Sequence, residues 1–299
     1  MTDKLRAYNR APVPFKGQKK NFLAELDTFL NLAIGGGWHD GSGYTIIDLF
    51  GGSGLLAHRA KRRYPNARVI YNDFDNYAKQ IEDIPKAVNH WHALRSIADR
   101  QEARTGKPLY RGHDVFVKVE DPVTRQEILD YVKSLDESEL NIKYLTLWLV
   151  WSVCDIQSKE ELVNSISTNC YWQVPLKAPS VSNDYLIGLE RVSMDYREIL
   201  HSYYAQDKVI YLIDPPYVGT YADMYKQSFK AADHIELLLK IKPPYLLFNC
   251  DKGDLLRTLD TIVNNRLGNW QSYVDTRIMT KDQNSSTRSH RNEILVYKL

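Results

Sequence analysis

Val209 to Ile213 reads "VIYLI", a buried-looking apolar run that drives straight into Asp214, Pro215, Pro216 and Tyr217. Proline cannot continue a strand ladder and restricts the residue before it, so Asp214 must stand at or just past a strand end with an extended backbone. A carboxylate, a rigid double proline and an aromatic ring are thereby gathered at the mouth of a sheet. Around this run, strand-like and helix-like segments alternate: "YTIIDLF", "LLAHRAKRRY", "RVIYND" and a helical stretch from near Asn76, then "YREILHSYY", "KVIYLID", "AADHIELLLKI", "PYLLFNC" and "DLLRTLDTIV". Alternation of this kind marks a parallel sheet flanked by helices.

Between the two blocks, from Ile84 to Tyr185, the pattern is mostly helical and loop-like, with "TRQEILDYVKSL", "YLTLWLVWSV" and "KEELVNSI" as the clearest helices. The chain closes with two extended segments, "WQSYVDTRIM" and "EILVYKL", joined by the polar "TKDQNSSTRSHRN", which reads as an antiparallel hairpin with a long connection. The expected fold is α/β: a doubly wound, mostly parallel, Rossmann-like sheet with a terminal antiparallel hairpin and an inserted helical domain. Residues 1–83 and 186–299 form the sheet domain and 84–185 the insertion. The glycine-rich stretch Ile34 to Gly43 reads as a flexible connector, because it precedes the first strand instead of following it.

Composition sets the remaining bounds. With 299 residues and 43% hydrophobic content the chain can bury a full core. Its longest apolar run, Leu145 to Val153, is well short of the ~20 residues that span a bilayer. No basic-then-apolar leader opens it, so a cytoplasmic location is expected. Cys154, Cys170 and Cys250 are far apart and odd in number, which suits neither a disulfide framework nor a thiolate zinc site. The net charge of +2 does not announce a nucleic-acid binder. The local clusters Lys16/Lys19/Lys20, Lys61/Arg62/Arg63 and Arg288/Arg291 are expected mostly as solvated faces, with phosphate contact as the alternative.

Two constellations carry chemistry. The first strand ends in "DLFGGSG", Asp48 to Gly54, where Gly51, Gly52 and Gly54 let the backbone turn tightly into a helix. About twenty residues on, Asp73 closes the second strand, where a carboxylate can accept from both hydroxyls of a ribose. The spacing is not G-x-G-x-x-G. Phe50 followed by G-x-G suits a ligand with an adenosine and an amino-acid tail better than a dinucleotide. The second constellation is "DPPY". An exocyclic adenine amine is a poor nucleophile because its lone pair is delocalised. The Asp214 carboxylate and the Pro215 carbonyl could hold its two N–H bonds, and Tyr217 offers a flat face for stacking. The bland reading is an ordinary strand-ending turn, as expected for the similar "KPPY" at Lys242 to Tyr245.

The segments "PFKGQKKNFLAEL", "IIDLFGGSG", "VIYNDFD", "SMDYREIL", "YLIDPPY" and "NEILVYK" occur in the order seen in the Dam-like DNA adenine-N6 methyltransferases, and the first looks most like the phage members. The resemblance implies S-adenosylmethionine as donor, an adenine amino group in double-stranded DNA as acceptor, base flipping, and no metal. Phe15, Gly17 and Lys19 match the segment that contacts the methionine end of the cofactor, although the tryptophan and second glycine common there are missing around Phe15 and Gln18. Asp73 matches the ribose aspartate, and Asp195 and Tyr196 match a D-F segment beside the cofactor's adenine. Asp48, Phe50, Gly52 and Gly54 belong to the cofactor turn, and Asp214, Pro215, Pro216 and Tyr217 to the catalytic motif.

The resemblance leaves the insertion unaccounted for, and it is the only unassigned mass large enough to read flanking bases. Its candidates are Arg125, Asn169, Tyr171, Trp172, Gln173 and Lys177. "VGTYADMYKQSF" is expected over the flipped base, and Arg288 and Arg291 near phosphates. An RNA adenine methyltransferase is the nearest alternative, and segment order argues against it. A catalytically silent DNA-binding protein is the second, opposed by the intact Asp214, Tyr217, Asp73 and Lys19. An NAD enzyme is disfavoured by the glycine spacing. The setting implied is the cytoplasm of a bacterial or phage-infected cell.

Overall fold

The computed structural model describes residues 6–15, 17–36, 38–109, 117–151, 156–217, 229–251, 254–286 and 289–299, with the backbone alone over 282–286 and 289–291. In chain order the elements are α1 (Leu23–Ile34), β1 (Thr45–Asp48), α2 (Leu55–Arg63), β2 (Arg68–Asn72) and α3 (Tyr77–Glu82). Next come α4 (Ile84–Thr105), β3 (Val117–Lys118), α5 (Pro122–Ser134), α6 (Ile142–Leu149), α7 (Lys159–Thr168) and β4 (Tyr171–Trp172). The chain ends with β5 (Glu190–Val192), α8 (Tyr196–Tyr203), β6 (Val209–Ile213), α9 (Ala231–Lys240), β7 (Tyr245–Cys250), α10 (Leu255–Asn264), β8 (Arg277–Ser286) and β9 (Ser289–Lys298). Two compact units result, one from Met1–Ala78 with Asn183–Leu299 and one from Lys79–Ser182.

The first unit holds a seven-stranded sheet in the order β5-β2-β1-β6-β7-β9-β8. The five strands from β5 to β7 are parallel, while β9 runs antiparallel to both β7 and β8. Strand order reverses between β1 and β6, and in open α/β sheets ligands bind outside the carboxyl ends at that point. The strands read as near-continuous apolar runs because both faces are covered. Side chains alternate between two cores. Ile46, Val69, Tyr71, Ile210, Leu212, Leu246 and Phe248 join α1 and α2 on one face. Ile47, Ile70, Val209, Tyr211, Ile213, Tyr245 and Leu247 join α8, α9 and α10 on the other.

The C-terminal hairpin differs from the expected one. Trp270–Tyr273 is a 3-10 turn, not strand, and the ladder continues through the polar stretch to the pair Ser286 and Ser289. An antiparallel ladder satisfies its own backbone, so it can run on without an apolar pattern once β9 is anchored beside β7. The connector before β1 is also more fixed than its composition suggested: a Cβ at Gly41 would meet Ala67 and Tyr64 at 2.8 Å. Lys61/Arg62/Arg63 is largely an internal fastening. Lys61 donates to the Ala67 carbonyl, and Arg62 to those of Arg6, Asp184 and Ile187.

The second unit packs α4 to α7 with a two-stranded antiparallel sheet, β3 and β4. The 22-residue α4 is its longest element, with Ile84, Ala87, Leu94, Ile97 and Ala98 buried at helical spacing. Its many polar residues had hidden it among loops. Asp121 caps α5 by accepting from the Thr124 amide, and Ser158 caps α7 through Glu161. Burial holds His90 down at about 4, so its neutral Nε2 accepts the Asn141 amide at 3.0 Å. No described helix is long and apolar enough to cross a membrane.

Candidate active site

The carboxyl ends of β1 and β6 lie side by side, because Asp48 pairs with Leu212 in the parallel register. Gly54 leaves α2 without a side-chain cap, and Asp48 supplies one from outside the helix, its Oδ2 accepting the Ala57 amide at 3.1 Å. Its Oδ1 is buried with no hydrogen-bond partner among the described residues. Burial, with the nearby Asp214 charge adding to it, pushes the Asp48 carboxyl up to about 7. An acid in that place repels a pyrophosphate, which needs a bare helix N-terminus. The geometry thus disfavours a dinucleotide more directly than glycine spacing does.

The glycine turn is shaped by what lies against it. A Cβ at Gly51 would sit 2.4 Å from the Tyr71 ring, and Gly52 and Gly54 both adopt positive φ. The Tyr71 hydroxyl donates to the Gly52 carbonyl at 2.8 Å. Phe15 covers the turn from the other side, 3.0 Å from where a Gly52 Cβ would be. The segment carrying Phe15 is tied at both ends. Tyr77 bonds the amide and carbonyl of Val13, and the Lys19 ammonium lies 2.8 Å from Asp214 Oδ2.

Lys19 is the cation paired with the motif among the described residues. Its ammonium also donates to the Gly17 carbonyl at 2.9 Å and stands over the rings of Tyr217 and Phe248 at 5.2 and 5.6 Å. The resemblance assigns this lysine to the methionine end of a cofactor, and the structure places its ammonium beside the Asp214 carboxylate. Asp214, its side chain 20% exposed, is pushed up by burial and by the Glu293 charge, and drawn back by Lys19 and the Tyr217 hydroxyl. Tyr217 is buried in the α1/α2 core, its hydroxyl 3.2 Å from Asp214 Oδ1 and 2.7 Å from Glu293 Oε2. In this state it does not present the open face expected for stacking, because its oxygen is drawn inward to the two acids.

Asp73 stands where expected, after β2, yet both its oxygens are engaged. Oδ1 accepts the Tyr77 amide at 2.6 Å and Oδ2 the Ala78 amide at 3.0 Å, capping α3, with Arg191 3.5 Å from Oδ2. Asp195 likewise caps α8 and is paired with Arg197. Tyr196 packs against Phe50, ring centroids 5.3 Å apart, with Phe229 completing the cluster, and its hydroxyl donates to the Asp233 carbonyl. Asn72 joins the two halves, donating to the carbonyls of Leu49 and Met194 and accepting the Met194 amide.

The structure therefore brings Phe15, Gly17, Lys19, Asp48, Phe50, Gly52, Gly54, Asp214, Pro215, Pro216 and Tyr217 to the carboxyl ends of the central strands β1 and β6, with Asp73, Asp195 and Tyr196 after the neighbouring elements. Sequence reasoning missed Tyr77, Asn72 and Glu293. Only Glu293 left a signal, as an acid directly before the apolar run Ile294–Val296 of the terminal strand. In the second unit, Arg125 turns inward, donating to the Val119 carbonyl at 2.9 Å while its buried Nε lacks a partner among the described residues. Gln173 is half-buried and Lys177 exposed. Arg288, the Arg291 side chain, Lys16, Cys154 and the loop 218–228 lie outside the described residues. Among those described, no cluster of three His, Cys, Asp or Glu could hold a metal ion.

The model of the D12 class N6 adenine-specific DNA methyltransferases matches residues 15–254. The chain belongs to this family. The match takes in the Phe15 segment, the glycine turn, the second unit and the Asp214 motif. A Haemophilus influenzae protein named "Putative methyltransferase" is 31% identical over 300 residues, covering 98% of this chain and 93% of that one. For a DNA adenine methyltransferase, the useful property of the site is a fixed acceptor. Lys19 keeps a desolvated Asp214 able to accept hydrogen bonds, and the two prolines hold it at the strand end.

Proposed function

We propose that this methyltransferase uses S-adenosylmethionine to methylate N6 of an adenine flipped out of a defined sequence in duplex DNA, and that the Lys79–Ser182 unit reads the flanking bases. The observation that carries the reading is the Lys19–Asp214 pair at the carboxyl end of β6, one strand from the Phe50–Gly54 turn. The donor fits the charge of the site. Among the described residues, Asp48, Asp73, Asp214 and Glu293 outnumber the nearby cations Lys19 and Arg191, and a sulfonium with an amino-acid ammonium brings positive charge to a carboxyl oxygen, Asp48 Oδ1, that lacks a partner there. When bound, the donor supplies an electrophilic methyl group with its leaving group already in place.

The chain's own residues then do the positioning. Asp214 accepts one amino N–H and the Pro215 carbonyl the other, which turns the nitrogen lone pair outward. Alignment of this kind is worth ~7–11 kcal/mol in favourable cases, against ~3–5 kcal/mol for one acid–base group. Asp73 and Tyr196 bound the adenosine side, Phe15 and Gly52 the amino-acid side. Extruding the base from the duplex has to displace Tyr217 from its inward position if the ring is to stack on it.

The test is incubation of the purified protein with labelled donor and either duplex DNA or RNA, followed by long-read sequencing of the DNA. N6-methyladenine at one recurring sequence is expected. Equal or greater labelling of RNA, or unchanged DNA methylation by Asp214→Ala, would sink the reading.

A further inference from the structure

The backbone from Tyr8 to Phe15 forms no helix or strand, so its polar groups need partners from elsewhere. Tyr77 bonds the amide and carbonyl of Val13, and Gln18 Oε1 accepts the Ala11 amide at 3.2 Å. The Tyr8 amide goes to α2, donating to His58 Nε2 at 2.9 Å. His58 is buried, and burial holds it down at about 4, so it is neutral at ordinary pH. Its Nδ1 lies 2.7 Å from the Tyr185 carbonyl, which can only accept. Nδ1 therefore carries the one ring proton and Nε2 is left to accept. A buried polar ring is unfavourable unless bonded, and this one bonds no part of its own helix but two segments, 50 residues before it and 127 after. Tyr185 is buried too, its ring stacked on the imidazole with centroids 4.5 Å apart, and Tyr8 meets both rings edge-on. Its hydroxyl donates to the Ser53 carbonyl at 3.1 Å, inside the glycine turn. With Tyr71 on the Gly52 carbonyl, two consecutive carbonyls of that turn are fixed by phenols.

We propose that His58 is a positioning residue for the methyl donor, setting both walls of its site: the Phe15 segment through the Tyr8 amide, and the glycine turn through Tyr185. The inference rests on the S-adenosylmethionine reading and gives His58 no contact with donor or DNA. Phe15 lies against the turn, 3.0 Å from where a Gly52 Cβ would be, so a shift of either wall changes the gap between them. The imidazole is referred to the turn itself, because His58 stands one helical turn into α2 and its own amide donates to the Gly54 carbonyl at 2.8 Å. Two further contacts brace the junction. The Tyr8 hydroxyl donates to Asp184 Oδ1 at 2.6 Å, and Arg62 bonds the carbonyls of both Arg6 and Asp184. A loose Phe15 segment would have to be ordered when the donor binds, which weakens binding; a segment anchored in advance removes that cost.

Hydrogen exchange over residues 8–15 without donor, and S-adenosylmethionine affinity by calorimetry, are compared for wild type, His58→Gln, His58→Asn and Tyr185→Phe. Glutamine can place its Oε1 where Nε2 accepts the Tyr8 amide, whereas asparagine is too short to reach it. His58→Asn should speed exchange about fivefold or more and weaken donor binding about tenfold or more, while His58→Gln stays within about threefold of wild type in both. Tyr185→Phe keeps the stacked ring and the backbone carbonyl and loses only the bond to Ser53. It should weaken donor binding about threefold or more and leave exchange over 8–15 unchanged. For His58→Asn and Tyr185→Phe, saturating donor should restore single-turnover methyl transfer to within about threefold of wild type. A glutamine variant as impaired as the asparagine one would mark His58 as core filling and overturn the proposal, as would donor affinity unchanged by either His58→Asn or Tyr185→Phe. Wild type should already protect these amides without donor, a readout that needs no variant to fold, and exchange at the unstructured rate would overturn the anchor. Wild type that binds no S-adenosylmethionine would instead overturn the donor reading, and the exchange contrast between His58→Asn and His58→Gln would still decide the anchor.

Discussion

The chain carries the tripeptide Pro-Pro-Tyr twice, and the two copies sit at opposite ends of neighbouring parallel strands. Pro215–Tyr217 follows the carboxyl end of β6, whereas Pro243–Tyr245 leads into the amino end of β7. At the second copy the Pro244 carbonyl accepts the Tyr211 amide, Lys242 reaches the Tyr204 carbonyl, and the Tyr245 hydroxyl donates to the Ser272 carbonyl. Every polar group named there closes a backbone position, so the copy works as a strand start. At the first copy the tyrosine hydroxyl lies between two carboxylates, one of them paired with a lysine nearly two hundred residues away. Rigidity is common to both; what separates them is the strand end at which each stands and the acid before the prolines, which make the first copy the candidate site.

The contrast is broken or sharpened by substitution at either copy. Asp214→Asn should lower methyl transfer about 1,000-fold with folding intact, measured as incorporation of labelled methyl into duplex DNA. Asp48→Asn tests the acid beside the first copy. A carboxyl held near 7 when folded and near 4 when unfolded makes the folded state keep its proton over that interval, so wild-type stability falls as pH rises from about 4 to 7. Denaturation of wild type and variant at pH 5 and pH 8 should show the variant gaining about 3 kcal/mol relative to wild type on going to the higher pH. Tyr245→Phe should cost about 1 kcal/mol of stability and leave transfer rates unchanged. Lys242→Ala, at the mirror position of Asp214, should change stability by no more than about 0.5 kcal/mol and transfer not at all.

Much of this was legible in the sequence, and the boundary is physical. The strands β1, β2, β6 and β7 announced themselves as short apolar runs between helical patterns, and the Phe50–Gly54 turn and Asp214–Tyr217 stood at their ends. What periodicity could not show were contacts between distant segments. Lys19 lies on Asp214, Glu293 on Tyr217, and Asn72 on Met194, and nothing local in the chain marks those pairings. The direction of a side chain was equally hidden. Arg125 has the chemistry to read a base edge, but its guanidinium donates to the Val119 carbonyl. The hairpin was underestimated because its outer ladder is held by backbone bonds, which leave no trace in side-chain pattern.

The site draws on residues 19, 214 and 293, with β9 lying between β7 and β8 in the sheet. A chain still being synthesised lacks this arrangement until residue 293 has emerged from the ribosome and β9 has slotted in beside β7.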